Sequence, residues 1–155
     1  MICFHNPEEE NGYLSNWYRS EFQVDGISFS SMEQYMMYQK AVLFQDRETA
    51  EKILRTDDAA EQKALGRAVR GFQEAIWEEQ REDIIYRGVY EKFRQNPGLK
   101  EQLRQTGSET IAECAVKDRI WGIGLSMHDE DRFRMEAWKG KNLLGKILMK
   151  VRETL

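Results

Sequence analysis

Two spacings of apolar residues run along this chain, one typical of strands and one typical of helices. Aromatic and β-branched residues cluster in ICFH, in YLSNWYRSEFQVDGISF and in TIAECAV, which indicates short strands there. The dipeptide Asp25-Gly26 separates two of the apolar runs and is the strongest hairpin signal in the sequence. A β-hairpin is therefore predicted around residues 25 and 26.

Helical spacing dominates the remaining chain. Six helices are predicted, over residues 31–44, over 46–54, from 58 through KALGRAV, over 73–95, over LKEQLRQT and over NLLGKILMKVRETL. Ser30 is the expected N-cap of the first helix, Asp46 begins the second, and Asp58 with Glu61 marks the start of the third. Because helices outnumber strands and do not alternate with them, we expect a helix-rich α+β single domain spanning residues 1–155.

Composition and charge narrow the class of protein. A chain of 155 residues that is 41% hydrophobic and 32% charged is long enough for one packed domain, and disorder is excluded. The net charge of −4 argues against a nucleic-acid binder that relies on bulk charge. Cys3 and Cys114 lack metal-ligand spacing and predict no disulfide framework. Because the sequence has neither a run of 18 apolar residues nor a basic leader, we expect a cytoplasmic protein without membrane attachment.

Several common catalytic motifs are absent from the sequence. It contains no GxGxxG, no P-loop, no HExxH, no GxSxG and no CxxC. His5 and His128 lie in polar segments without a helical partner, so neither a metal nor a cofactor is expected. Any catalysis must therefore use carboxylates, lysines, aromatic rings and backbone dipoles.

The segment SSMEQYMMYQK places an acid and an amine on one helix. Glu33 and Lys40 are seven residues apart, so they point to nearly the same side of the helix, about 10 Å apart along its axis. Met36 and Met37 lie between them on the same face, and Tyr35 and Tyr38 flank this apolar and aromatic stripe. Burial there raises the pKa of a carboxyl and lowers that of an amine, which suits a general acid and an amine nucleophile. The alternative is structural: Glu33 returns to Ser30 in a capping box, and Lys40 extends to solvent from the helix flank.

Two tryptophans stand where an indole could stack on a flat ligand. In KDRIWGIGL, Asp118 precedes Trp121, and Gly122 and Gly124 permit close approach of the backbone. Asp118 could equally cap a turn while Trp121 fills the core. Trp77 lacks a continuous apolar stripe on its helix face, so rimming a pocket and packing in the core are both open.

Basic residues in two segments are candidates for phosphate contacts. In KGKNLLGK, Asn142 has the character of an N-cap, so helix amides could converge with the amines of Lys139 and Lys141 on an anion. A capped helix with solvated lysines is the alternative. In ALGRAVRGF, Arg67 and Arg70 lie one turn apart and could fork onto phosphates, although exposed arginines need no ligand.

Taken together, these segments resemble the NADAR superfamily, also called the riboflavin-intermediate N-glycosidase family. The matching segments, in order, are LSNWY, VDGISFSSMEQYMMYQK, ALGRAVRGF, Trp77, KDRIWGIGL and GKNLLGKILMKVR. The resemblance extends from about Phe4 to the C-terminal helix. It implies a NADAR-like fold and a hydrolase of N-glycosidic bonds at C1 of a ribose. Some members split phosphorylated ribosylamino-pyrimidine intermediates of riboflavin biosynthesis, and others remove ADP-ribose from guanine in DNA or RNA.

The family's catalytic positions fall on residues of this sequence. Its S-x-E-x-Y acid falls on Glu33 and the lysine that closes that helix motif on Lys40, while its loop aspartate falls on Asp118. With these positions, Glu33 is expected to donate the proton and then activate water, and Asp118 to bind ribose hydroxyls or assist proton transfer. Lys40 is expected to form a Schiff base with the ring-opened C1, and direct attack of water on C1 is the alternative route. Substrate contacts are expected from Asn16, Tyr35, Arg67, Trp77, Trp121, Gly122, Lys139, Lys141 and Asn142.

The glycine loop departs from part of the family. Some glycosidases carry W-G-D-G there, whereas this chain has Ile123 in place of the aspartate. For that reason the expected activity is removal of ADP-ribose from modified guanine, with ADP-ribosylated nucleic acid as partner and a link to an ADP-ribosyltransferase toxin. Hydrolysis of riboflavin intermediates and a non-catalytic ADP-ribose-binding module are the alternatives.

Overall fold

The computed structural model describes all 155 residues and is rich in helix, with two small sheets. The helix-rich α+β class is thus confirmed. The strands and helices in chain order are β1 (Ile2–Phe4), β2 (Arg19–Val24), β3 (Ile27–Ser31), α1 (Met32–Leu43), α2 (Arg47–Leu54), α3 (Ala59–Arg67), α4 (Glu74–Gln95), α5 (Pro97–Gln105), β4 (Ile111–Glu113) and α6 (Leu143–Thr154). No helix is both long enough and apolar enough to span a bilayer.

The chain forms two compact units. Unit 1 comprises Met1–Tyr18 and Pro97–Leu155, and unit 2 comprises Arg19–Asn96. A single domain over residues 1–155 stays a prediction.

Unit 2 begins with the predicted hairpin. Strands β2 and β3 pair antiparallel, with Phe22 opposite Phe29. Asp25 and Gly26 form the turn at φ 53° and 78°. Both residues therefore adopt the left-handed conformation that a two-residue type I′ turn requires, which is why Asp-Gly marks it in the sequence.

Helix α1 packs into the core of unit 2 through the ring of Tyr35. This ring is 1% exposed, and it lies edge-on to Phe29 at 5.2 Å and tilted against Phe22 at 5.9 Å. The Tyr35 hydroxyl donates a hydrogen bond of 2.7 Å to the carbonyl of Ile84 in α4. Gly88 of α4 faces the same ring, and a methyl group at Gly88 would overlap it. The aromatic ring thus fixes α1 against both the hairpin and α4.

The helix starts follow side-chain capping, with one departure from expectation. Asp46 accepts a bond of 3.1 Å from the amide of Thr49, and Asp58 accepts one of 2.9 Å from Ala60, as their positions predict. For α1, however, the N-cap is Ser31, and the prediction of Ser30 is wrong by one residue. The reason is that β3 continues through Ser31, whose extended backbone delays the first helical residue to Met32.

Unit 1 is built around a parallel pair of strands and α6. Strand β1 pairs with β4 so that Cys3 lies beside Ala112. Both cysteines of the chain are free and buried. The core cluster here consists of Cys3, Ala112, Cys114, Ile123 and Leu125.

Asn142 ties α6 to β4. Its Oδ1 accepts a bond of 3.1 Å from the amide of Glu113, and its Nδ2 donates one of 2.9 Å to the carbonyl of Ile111. Asn142 stands at the N-cap position, as predicted, but its side chain makes no capping bond. It links two elements instead.

Candidate active site

The start of α1 leaves Glu33 outside the capping arrangement. Ser31 Oγ accepts a bond of 3.2 Å from the amide of Gln34, and Gln34 Oε1 in return accepts one of 2.7 Å from the amide of Ser30. Contacts that resemble a capping box are therefore made by Gln34, one residue after the predicted Glu33, with the difference that its oxygen accepts from Ser30, the residue before the N-cap. Glu33 lies in the buried first turn of the helix, with 4% of its surface exposed.

Gln34 also anchors this turn to α2. Its Nε2 donates bonds of 3.0 Å to the carbonyls of Ile53 and Thr56, which stand at the end of α2 and just beyond it. Gln34 is 2% exposed, and both its amide oxygen and its amide nitrogen have partners. The side chain before it, Glu33, is consequently carried on a rigid turn.

Lys40 projects from the opposite end of α1 into a partly dehydrated environment. Burial lowers the pKa of Lys40, and the nearby charge of Arg67 acts in the same direction. The carboxylates of Glu74 and Glu33 oppose this shift. The Nζ atom lies 4.5 Å from the centroid of the Phe72 ring. The net lowering increases the fraction of free amine, which is the form that attacks carbon, and it agrees with the direction predicted for this lysine.

The other predicted residues of unit 2 fall into different settings. Trp77 is 8% exposed in α4, directly after a stretch, residues 71–76, that is exposed throughout. Arg67 is exposed at the end of α3. Tyr35 is enclosed, with its ring and hydroxyl engaged as described above, so it supports the helix that carries Glu33 and Lys40 rather than offering a surface to a ligand.

In unit 1, Asp118 organises the glycine loop. Its Oδ1 accepts bonds of 3.0 Å from the amide of Ile120 and 2.8 Å from that of Trp121. Gly122 has no room for a side chain, because a Cβ would lie 2.9 Å from the carbonyl oxygen of Glu113. Of the two roles left open for Asp118, the turn-capping one is observed. The half-buried indole of Trp121 is held by this turn.

Ile123 lies in the core of unit 1. It is fully buried among Cys3, Cys114 and Leu125, and its amide donates a bond of 2.8 Å to the carbonyl of Glu113. In this chain the position that some glycosidases fill with an aspartate thus points into packed apolar side chains.

The predicted anion site of unit 1 is only partly assembled. Lys139 and Lys141 are exposed and follow the glycine loop, where the amide of Lys139 bonds the carbonyl of Ile123 at 2.8 Å. Asn142 is 1% exposed, and both polar atoms of its side chain are bonded to β4. The lysines therefore remain phosphate candidates, whereas Asn142 has a structural role. Asn16, also predicted, is 7% exposed.

The predicted residues thus divide between the units. Unit 2 carries Glu33, Tyr35, Lys40, Arg67 and Trp77, and unit 1 carries Asn16, Asp118, Trp121, Gly122, Lys139, Lys141 and Asn142. No group of three or more His, Cys, Asp or Glu side chains is placed to hold a metal ion.

Sequence reasoning missed three residues that surround Lys40 and Glu33. Gln34 is adjacent to Glu33 within SSMEQ, where the S-x-x-Q spacing was the signal for its capping role. Phe72 and Glu74 lie at the end of the segment ALGRAVRGFQE, in which only the arginines were candidates. No local pattern marks these two residues, because only the packing of α1 brings them to Lys40.

Comparison with known proteins gives a consistent picture. The model of the NADAR domain matches residues 3–155. N-glycosidase R617 of Acanthamoeba polyphaga mimivirus is 43% identical over 160 residues, covering 98% of this chain and 94% of that protein. Riboflavin biosynthesis protein VVA0006 of Vibrio vulnificus is 38% identical over 154 residues, covering 99% of this chain and 38% of that protein. The NMR structure of the Escherichia coli protein YbiA superposes with a TM-score of 0.81 at 28% identity, covering 99% of this chain and 83% of that one.

Proposed function

We infer that this chain, which belongs to the NADAR domain family, is an N-glycosyl hydrolase, and we propose that Glu33 and Lys40 carry its reaction. Two relatives that align along nearly the whole chain, from mimivirus and E. coli, are named N-glycosidases. The observation that carries the proposal is the environment of Lys40: an amine with a lowered pKa, half-buried, on the same helix as a buried carboxylate that interacts with it.

The proposed reaction splits hydrolysis into two steps. Glu33 donates a proton as the ribose ring opens, and the free amine of Lys40 adds to the electrophilic C1. A proton of the added amine then moves to the base nitrogen, the C1–N bond breaks, the base leaves, and a protonated imine joins C1 to Lys40. Glu33 next takes a proton from water, which adds to C1 and releases the sugar and the amine. The sum is glycoside plus water giving free ribose sugar plus base.

For the substrate we propose ADP-ribose linked to guanine. The ring of Phe72 beside Lys40 supports this choice, because it is 37% exposed and offers an apolar surface to a purine. In the same unit, the exposed Arg67 is a cation suited to a phosphate contact. This substrate requires a transferase that attaches ADP-ribose to guanine, such as a toxin, acting before this enzyme.

A second candidate is the phosphorylated ribosylamino-pyrimidine intermediate of riboflavin biosynthesis. Its support is the similarity to a riboflavin biosynthesis protein over 99% of this chain. The burial of Ile123 removes the sequence-based reason for preferring guanine, since an acid at that position would not have faced a substrate from the core of unit 1. The two substrates therefore have to be compared directly.

A parallel product assay distinguishes the candidates. The protein is incubated with an ADP-ribosylated guanine oligonucleotide and, separately, with the ribosylamino-pyrimidine, and products are identified by mass spectrometry. We expect free ADP-ribose and restored guanine. Release of ribose 5-phosphate from the second substrate alone would replace our proposal with the riboflavin one, and bound ADP-ribose without turnover would indicate a binding module.

Two substitutions test the assigned roles. Glu33→Gln should reduce turnover by roughly 10²–10⁴-fold while substrate binding persists, because the proton donor is lost but the shape is kept. Lys40→Arg should prevent formation of a sugar adduct on borohydride treatment, which the wild type should show. The matched controls are Glu78→Gln and Lys52→Arg, both on exposed residues. Undiminished turnover in Glu33→Gln, or an adduct in Lys40→Arg, would contradict the corresponding role.

A further inference from the structure

The ring of Phe72 lies against the amine of Lys40 although 37% of its own surface is exposed. The Nζ atom is 4.5 Å from the ring centroid, within the range of a cation–π interaction. Phe44 packs against the same ring in an edge-to-face arrangement, with 5.3 Å between ring centroids and 72° between ring planes. Phe72 is therefore oriented by one neighbour and presents its face to another.

The backbone before Phe72 is held in place by a buried carboxylate. Asp46 Oδ2 accepts a bond of 2.9 Å from the amide of Arg70, and Oδ1 accepts one of 3.0 Å from its guanidinium. The side chain of Asp46 is 1% exposed, and its amide bonds the carbonyl of Ala41 in α1 at 2.9 Å. Gly71, at φ 78°, then turns the chain toward Phe72. The ring is thus tied to the helix that carries Lys40.

Charged groups around Lys40 both favour and disfavour its protonated form, and the face of an aromatic ring adds to the stabilisation of that form. Burial and the charge of Arg67 in α3 disfavour the protonated amine, while Glu33 in α1 and Glu74 in α4 favour it. The negative face of a ring stabilises a cation without adding a carboxylate that could trap a proton. It acts equally on an ammonium ion and on the protonated imine that the proposed reaction forms.

We propose that Phe72 is a positioning residue that holds the Lys40 nitrogen over its ring and stabilises the positive charge on that nitrogen. Its action on the ammonium ion concerns this chain alone, and its action on the imine rests on the proposed function. Loss of the ring should therefore lower the pKa of Lys40 even without substrate.

The first experiment measures the pKa of Lys40 in the free protein. The lysines are reductively methylated with ¹³C-formaldehyde, and the Lys40 resonance, assigned by its loss in Lys40→Arg, is followed against pH. In Phe72→Leu, which keeps an apolar side chain over the amine, we expect the pKa to fall by about half a unit or more. Phe72→Tyr should restore the wild-type value. Ile76→Ala, which trims a similarly exposed apolar side chain of α4, should leave the pKa unchanged.

Pentafluorophenylalanine at position 72 provides a second variant with the same shape and a reversed ring quadrupole. It should lower the pKa of Lys40 at least as much as leucine does. An unchanged or raised pKa in both variants would overturn the proposal, and an equal shift in Ile76→Ala would show a general solvent effect instead.

The second experiment compares borohydride-trapped adduct and turnover across the same variants. We expect less trapped imine in Phe72→Leu than in Phe72→Tyr. If the wild type neither turns over nor traps sugar, the proposed function fails, while the pKa measurement still decides whether the ring stabilises the ammonium ion. If turnover is present and the Lys40 pKa ignores the ring, only the role of Phe72 is wrong.

Discussion

Replacing Gln34 with leucine removes a buried amide that joins three elements of unit 2. Gln34 is 2% exposed, and its side chain accepts from the amide of Ser30 and donates to the carbonyls of Ile53 and Thr56. Leucine has similar bulk but no polar atoms. The substitution therefore isolates the hydrogen bonds from the packing.

The expected loss of unfolding free energy depends on which buried polar groups are left without any hydrogen-bond partner. The carbonyl of Thr56 keeps a bond of 2.7 Å from Gln62, and that of Ile53 keeps the amide of Arg55. The amide of Ser30 loses its 2.7 Å acceptor in a buried site. An orphaned buried donor costs about 1–3 kcal/mol, and the lost bonds of the other groups add to it, so we expect about 3 kcal/mol in total.

Urea unfolding, followed by circular dichroism, measures this loss as a shift in midpoint at constant slope. Gln95→Leu is the matched control, because Gln95 bonds the amide and carbonyl of Gln23 at 2.8 Å each in an exposed setting of the same unit. Water can replace those bonds, so the control should cost about 1 kcal/mol or less. A loss in Gln34→Leu no larger than that in Gln95→Leu would refute the reasoning.

Two further predictions concern other buried positions of unit 2. Burial lowers the pKa of Lys92 to about 7, so below pH 7 the folded and unfolded chains both hold its proton, whereas from pH 7 to 10.5 only the unfolded chain does and stability rises with pH. The unfolding free energy of the wild type should therefore rise relative to that of Lys92→Met, which has no titrating group at this position, by up to about 5 kcal/mol over that interval. Urea titrations at several pH values measure this difference, and a difference that does not change with pH would contradict the burial argument. Gly88→Ala should lower stability by about 1–3 kcal/mol, because the added methyl meets the enclosed Tyr35 ring. The same change at the exposed Gly98, where a Cβ meets nothing, is its control, and equal effects in thermal unfolding would rule out the steric explanation.

Helix α1 shows how much of the structure local sequence can predict. The spacing of Glu33 and Lys40 predicts one helix that carries both, and the structure has it. The capping assignment was wrong by a single residue because Ser30 and Ser31 are chemically equivalent, and the choice between them depends on where β3 ends. That in turn depends on pairing with β2, where Ser31 stands opposite Arg19. Sequence therefore identified the element but not which side chain would be used in its cap.

Asn142 and Ile123 illustrate the same limit in unit 1. An asparagine before an apolar run predicts an N-cap, and Asn142 does stand at that position. Its amide, however, bonds groups of β4 that lie 29 and 31 residues earlier in the chain. Ile123, read from the family pattern as a missing acid, is a core residue because β4 and α6 enclose its loop. Only the positions of distant strands decide these roles.

By itself the sequence determined the features that depend on neighbours along the chain. The Asp25-Gly26 turn and the helix starts at Asp46 and Asp58 are fixed by local backbone conformation and short-range capping, and the ordered motifs identify the family. The tertiary structure alone decided that Phe72 faces Lys40, because that contact joins elements 32 residues apart through the packing of α1. The hydrogen bonds and charge interactions of a polar or charged side chain depend on which groups the fold places near it, and those groups can be distant in the sequence.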